Sequence, residues 1–224
     1  MYQSPLLEAH QRVLQRLAEH RRDHARRASE VRGDDVDRSA ARVAMDLETA
    51  PWGVVGDDGA EACRVVLDYG ELEAEYAALR RGAAMFDRSD RTVVEAVGPD
   101  AADLLDRLVT NKMSDGVSVM EAFVLERTGR IVADARLVRL GDRTLVELDR
   151  TDAARLLEIL DGFVFAEEVR IVDGSGRSHR IDLLGPDAPA TVEHALGAGV
   201  PGGGATVGSI ADRPVVAFAL EPGG

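Results

Sequence analysis

Between Val117 and Asp149 the chain turns back on itself at intervals too short for any connection but a hairpin. The runs "VSVMEAFVLER", "IVADARLVRL" and "TLVELD" are separated only by "TGR" and "GDR". A parallel pair of strands needs a crossover of a dozen or more residues, so these neighbours must be antiparallel. A doubly wound parallel sheet is thereby excluded. The middle run also fixes two faces: Ile131, Ala133, Ala135 and Leu137 share one side, and Val132, Asp134, Arg136 and Val138 the other.

Helices flank this meander. "GPDAADLLDRLVT" is started by Pro99 and Asp100 and buries Ala101, Leu104, Leu105 and Leu108, while "TDAARLLEILDGF" follows Thr151. With "RTVVEAVG", "EVRIVDG", "SHRIDLLG" and the helix "PDAPATVEHALG", the order β-α-β-β-β-α-β-β-α predicts an α+β protein of antiparallel sheets with helices on one face. Upstream, "ELEAEYAALRRG" predicts a helix over 71–81 ending at Gly82. Residues 1–32 hold an amphipathic helix over 4–31, capped by Ser4, with Leu6, Leu7, Val13, Leu14 and Leu17 on one side. Residues 33–67, acidic and turn-rich, read as a linker or insertion with a short helix, and 68–224 as the α+β domain. The glycines of "PGGGATVG" lack the strand-to-helix setting of a phosphate loop and predict a surface loop.

Charge and cysteine usage exclude further classes. A formal net charge of −13 argues against broad contact with nucleic-acid backbone, so no direct DNA binding is expected. No apolar run approaches the ~20 residues of a spanning helix and "MYQSPLLEAH" lacks a signal-peptide core, which predicts a cytoplasmic protein without membrane contact. Lys112 is the only lysine, a bias that salt adaptation and a GC-rich genome would both produce. Cys63 alone cannot form an internal disulfide and predicts a small buried residue. His20 and His24 have i,i+4 spacing but no third ligand, so no metal site is expected.

No nucleophile elbow, HExxH or Cys/His cluster occurs, which leaves acids in strands. Asp134 and Arg136 lie on a face otherwise made apolar by Val132 and Val138. They are either a surface pair worth under about 1 kcal/mol or the polar part of a pocket.

The ordered blocks "RRGAAMFDRSDRTVVEAVGPDAADLLDRLVTNKMSDG", "LERTGRIVADARLVRL" and "GDRTLVELD", with the opening "SPLLEAH", resemble the folate-binding domain of the glycine cleavage T-protein superfamily. "LEILDGFVFAEEVRI" resembles its YgfZ-type branch more than its aminomethyltransferases. The resemblance implies a non-catalytic tetrahydrofolate-binding accessory protein, linked to iron–sulfur cluster assembly or repair and to tRNA modification. An iron–sulfur protein is then the implied partner. It also leaves open an aminomethyltransferase-like enzyme passing a one-carbon unit to tetrahydrofolate, and a degenerate interaction protein without a folate site. Of the two acids in the family's strand, the first is replaced by Ala133 and the second, which engages the folate near its reacting nitrogens, is kept as Asp134. The implied folate contacts are Asp134, Arg136 and Asp149, with Asp134 as the catalytic group if the protein is an enzyme. The family's FDVSHM block reads "FDRSDR", placing Asp90 and Arg91 where it has histidine and methionine. Its K-G-C-Y-x-G-Q-E and T-G-Y-T-G-E segments are absent, so a shortened member without the C-terminal barrel is expected.

Overall fold

The hairpins form as their spacing requires. In the computed structural model, which describes residues 2–32, 47–55, 60–70 and 72–219, strands β5 (Ser118–Leu125), β6 (Ile131–Leu140) and β7 (Arg143–Asp149) pair in succession, all antiparallel. Gly129 makes the first reversal possible: its φ of +81° is open to glycine without strain, and its N–H donates to Glu126 O at 2.8 Å. Strand β4 (Arg91–Val97) then pairs with β7, and β8 (Arg170–Asp173) with β4, giving the order β5-β6-β7-β4-β8.

Helices α3 (Ala101–Asp106) and α4 (Ala153–Asp161) cover one face of this sheet. The core between them contains Val94, Ala96, Leu104, Leu105, Leu137, Val146, Leu148, Leu156 and Leu160. Each fully buried aliphatic side chain there contributes about 1.5–3 kcal/mol. Ala133 and Ala135 supply the small side chains of β6 on that face. Gly98 tightens the β4–α3 corner: at φ +145° it lets Glu168 O come so near that a Cβ would lie 1.9 Å from it.

Expectation and structure agree in the order of elements from β4 to α5 (Ala188–Leu196) and in the placing of helices on one side. Helix α2 (Leu72–Arg81) ends at Gly82, and α1 spans Leu7–Arg32. Among the described side chains of α1, His10 and Leu14 are buried, whereas Val13, expected on the buried side, is 53% exposed.

Two stretches differ from the sequence reading, and a third, to which it assigned no element, forms a strand. Part of the expected linker forms a hairpin of β1 (Glu48–Val55) and β2 (Ala60–Asp68); its alternation was disguised by Pro51 and Gly53, residues that ordinarily weaken a strand. The acidic stretch 33–46 and the side chains of His20 and His24 lie outside what is described. The "FD" motif forms β3 (Ala84–Asp87), paired with β9 (Ile181–Leu184) nearly a hundred positions away. The expected glycine loop includes β10 (Ala205–Ile210), which pairs with β11 (Arg213–Phe218); the glycines are followed by "ATVGSI", long enough for a ladder. Among the described residues, no helix is long and apolar enough to cross a membrane.

Candidate functional site

Helices occupy one face of the five-stranded sheet, and the opposite face carries the polar side chains. Side chains alternate along each strand, so Arg91 on β4, Glu147 and Asp149 on β7, Asp134 and Arg136 on β6, and Glu121 and Phe123 on β5 point to this second face. Cross-strand register aligns them in rows. Phe123 pairs with Asp134 and Arg91 with Asp149, and continuing the β6–β7 register by one step brings Asp134 opposite Asp149. One row thus runs Phe123, Asp134, Asp149, Arg91. The next runs Glu121, Arg136, Glu147, Val93.

Phe123 stands close to Asp134. Its backbone N–H and C=O both bond Thr110 on the outer side, with Thr110 N donating to Phe123 O at 3.0 Å. The pair with Asp134 is therefore of the non-hydrogen-bonded kind, in which side chains approach more closely. Phe123 is 46% exposed and Asp134 is exposed too. The Asp134 side chain makes no hydrogen bond or ion pair among the described residues; its one partner is the field of Arg91. Asp149 differs. Its Oδ1 accepts from Thr151 N at 2.9 Å and Thr151 Oγ1 at 2.7 Å, capping the turn before α4, and its Oδ2 accepts from Trp52 Nε1 at 3.1 Å.

In the second row a carboxylate lies almost out of water. Glu147 is 3% exposed and takes Arg91, Arg136 (3.2 Å) and Arg180 (2.5 Å) on its two oxygens. Arg136 also reaches Glu121, and Arg180 reaches Asp182 at 2.7 Å. Phe218 of β11 lies under two of these guanidiniums, 5.5 Å from Arg136 and 5.8 Å from Arg180. Burial would lower the Arg91 pKa, but Glu147 and then Asp134 raise it, so the guanidinium stays charged.

A second polar cluster ties the N-terminal segment to the domain. The Asp87 side chain is fully buried, and its Oδ2 accepts from Ser4 Oγ and lies 3.2 Å from His10 Nε2. Its Oδ1 accepts from Ser89 Oγ at 2.8 Å and lies 3.2 Å from His179 Nε2. Burial alone would raise the Asp87 pKa, but His179, Ser4 and Ser89 hold it well below the usual carboxylate range. Nearby, Arg150 donates to Ser89 O, Ser175 O and Arg91 O at 2.9–3.1 Å and stacks over the Tyr2 ring at 3.6 Å. Cys63 is fully buried, and burial pushes its thiol up to about 11, which suits an inert packing residue.

The structure brings Asp134, Arg136 and Asp149 onto one face within two adjacent rows. It does not pair Asp134 with Arg136, whose guanidinium is taken by Glu121 and Glu147. Ala133 points into the helical core at 3% exposure. Sequence reasoning missed Glu147, Phe123 and Trp52 as members of this face. The signal for Glu147 was present, because alternation groups it with Asp149. Nothing local marked Trp52, whose indole reaches Asp149 across 97 positions. Among the described residues, no three His, Cys, Asp or Glu side chains are placed to hold a metal ion.

Residues 65–216 match the family model of the GCVT N-terminal domain. A probable aminomethyltransferase of Halobacterium salinarum (strain NRC-1) is 30% identical over 170 residues, covering 70% of this chain and 47% of that protein. An aminomethyltransferase of Corynebacterium jeikeium is 29% identical over 126 residues, 54% of this chain and 32% of that one. The chain therefore spans about half the length, or less, of these relatives. In fold it is similar to the glycine cleavage system aminomethyltransferase T from Bartonella henselae, with a TM-score of 0.59 at 19% identity over 72% of this chain and 44% of that one.

Proposed function

The chain belongs to the family of the GCVT N-terminal domain, and from that membership we propose that it binds tetrahydrofolate on the second face of its sheet, with Asp134 as the carboxylate that meets the folate amines. The observation that carries this reading is Asp134 itself. An exposed acid without a protein partner, beside an exposed phenylalanine and one arginine, offers a hydrogen-bond acceptor next to an apolar platform. Arg136 and Asp149 border it: Arg136 is fixed by Glu121 and Glu147, and Asp149 by Thr151 and Trp52. In this reading residues 68–224 are the folate-binding unit.

In its first form the protein is a YgfZ-type accessory binder acting beside iron–sulfur cluster assembly or repair and tRNA modification, without transferring a carbon unit. A second form, an aminomethyl-transferring protein, draws support from the relatives named aminomethyltransferase and from Ala133. Because residue 133 points into the core, an acid there could not reach a ligand on the opposite face. Its replacement therefore does not count against chemistry at Asp134. In that form the folate brings the carbon acceptor, and Asp134 orients its amine and holds a proton there.

Calorimetric titration with folinic acid tests the reading. The wild type is expected to bind, and Asp134→Asn to lose about tenfold to a hundredfold in affinity, the worth of a hydrogen bond to a charged group. Equal binding by both proteins removes Asp134 from the site. Release of 5,10-methylenetetrahydrofolate from an aminomethylated carrier would select the second form.

A further inference from the structure

The five-stranded sheet treats its two edges differently. On the β5 side the outward groups are taken: Phe123 O accepts from Thr110 N at 3.0 Å, Leu125 N donates to Leu108 O at 2.8 Å, and Val119 N to Gly203 O at 2.9 Å. On the β8 side they are bare. Gly174 N donates to Val93 O, so by alternation Arg170 and Val172 bond β4, while Ile171 and Asp173 turn their N–H and C=O groups away from the sheet. Among the described residues only one of these four groups finds a partner, Asp173 O, which accepts from Arg177 Nη2 at 3.1 Å. An open edge of this kind is a template for a further strand.

Just before this edge an apolar side chain is held out in water. Phe165 is 86% exposed, more than any other large apolar side chain among the described residues. Its loop is nevertheless fixed. Phe165 N and Ala166 N donate to Glu167 Oε2 at 2.9 and 3.1 Å, and Glu167 Oε1 accepts from Arg107 Nη2 at 2.6 Å. The Arg107 guanidinium, with these N–H groups, holds that carboxyl down to about 2. Glu168 N donates to Asp100 Oδ2 at 2.8 Å, and Val169 N to Glu167 O at 2.9 Å. A loop already ordered loses little freedom on binding, so the ring is a preorganised anchor. The unpaired charges around it are mostly of one sign. Asp100 and Asp103 at the start of α3, Asp161 at the end of α4, and Glu168 make no ion pair among the described residues, and Arg107 is already taken by Glu167.

We propose that the β8 edge and Phe165 together dock an extended segment of a basic partner protein. The segment adds a strand on Ile171 and Asp173, packs an apolar side chain against Phe165, and sets lysine or arginine side chains against the four acids. Main-chain bonds of strand addition supply affinity, while the ring and the charges select the partner. Charge also decides between occupants. Two copies of this chain meeting here would bring the acids face to face, and anionic lipid or nucleic acid would be repelled. The surface lies at the sheet edge and on the side covered by α3 and α4, away from Asp134, so the inference stands apart from the folate reading.

The test uses the full chain and two fluorescein-labelled hexapeptides, one alternating lysine with valine and the other glutamate with valine. In fluorescence polarisation the lysine peptide is expected to bind, more weakly as salt rises, and the glutamate peptide to stay free. Phe165→Ser should weaken the lysine peptide about tenfold, as the loss of an anchoring ring does. Amide exchange followed by NMR needs no variant. With the lysine peptide bound, the N–H groups of Ile171 and Asp173 should exchange more slowly, while that of Val169, already bonded, should change little. Binding that lacks either the Phe165 dependence or this protection is diffuse charge attraction and overturns the proposal. Equal binding of the two peptides overturns it, as does no binding of the lysine peptide at about 1 mM. So does concentration-dependent dimerisation that protects the same N–H groups without peptide, which would make a second copy the occupant.

Discussion

Replacing Glu147 by glutamine keeps its shape and removes the charge on which three guanidiniums converge. The carboxylate is 3% exposed and the arginine side chains are only 12–14% exposed, so solvent screens the contacts little. Two hydrogen bonds to a charged group, from Arg91 and Arg136, each worth about 1.5–3 kcal/mol, would set a range of about 3–6 kcal/mol, to which Arg180 adds an ion pair. That range overstates the effect, because Arg136 keeps Glu121 and Arg180 keeps Asp182. Only Arg91 loses its one ion-pair partner among the described residues. The expected cost is therefore about 3 kcal/mol, the low end for breaking a buried ion pair. For a domain of this size it lowers the melting midpoint by about 6–12 °C. The control is Glu121→Gln, which removes a partner of Arg136 whose side chain is 72% exposed and should cost under about 1 kcal/mol. Thermal and urea unfolding of both variants decide the matter. If Glu147→Gln melts within about 2 °C of Glu121→Gln, the cluster is not the organising element of this face.

Asp87 gives the domain a dependence on acid. Its folded pKa is depressed below the ordinary 3.8, so its contribution is complete above that value and is lost as pH falls toward the lowered one. Melting midpoints measured from about pH 5 down to about pH 2 should therefore drop more steeply in the wild type than in Asp87→Asn; parallel slopes would refute this. At the β4–α3 corner, Gly98→Ala should cost about 1–3 kcal/mol or more, since both its φ and the Glu168 carbonyl oppose a Cβ. Gly129→Ala, with positive φ but open space, should cost less, and denaturant midpoints rank the two.

How much was legible follows from the range over which each feature is specified. The meander β5–β6–β7 and helices α3 and α4 are encoded by alternation, short turns and caps within a few residues, and they appear where those signals lie. Hairpin β1–β2 was not legible, because Pro51, Gly53 and the surrounding acids imitate a linker. At the site, period two placed Asp134 and Arg136 on one face, Asp149 came only from the family resemblance, and neither signal could tell which arginine meets which acid. That choice depends on register: β6 sets Arg136 between Glu121 and Glu147. The Asp87 cluster was invisible for a stronger reason. Its members, Ser4, His10, Ser89 and His179, span most of the chain, and only Ser89 lies near Asp87 in sequence.

That span has a consequence during synthesis. The Tyr2 hydroxyl meets His179 Nδ1 at 3.1 Å, a contact across 177 positions. At about 5–20 residues per second, roughly ten to thirty-five seconds separate the emergence of these two residues from the ribosome. Through that interval Ser4 and His10 can find Asp87, but Tyr2 has neither His179 nor, until later than Asp87, the Arg150 guanidinium on which it stacks. Tyr2 is thus held first through its N–H on Ala62 O, and its side chain gains its last partner only with His179, so a nascent chain paused before His179 should be more open to proteolysis around Tyr2 than the finished one.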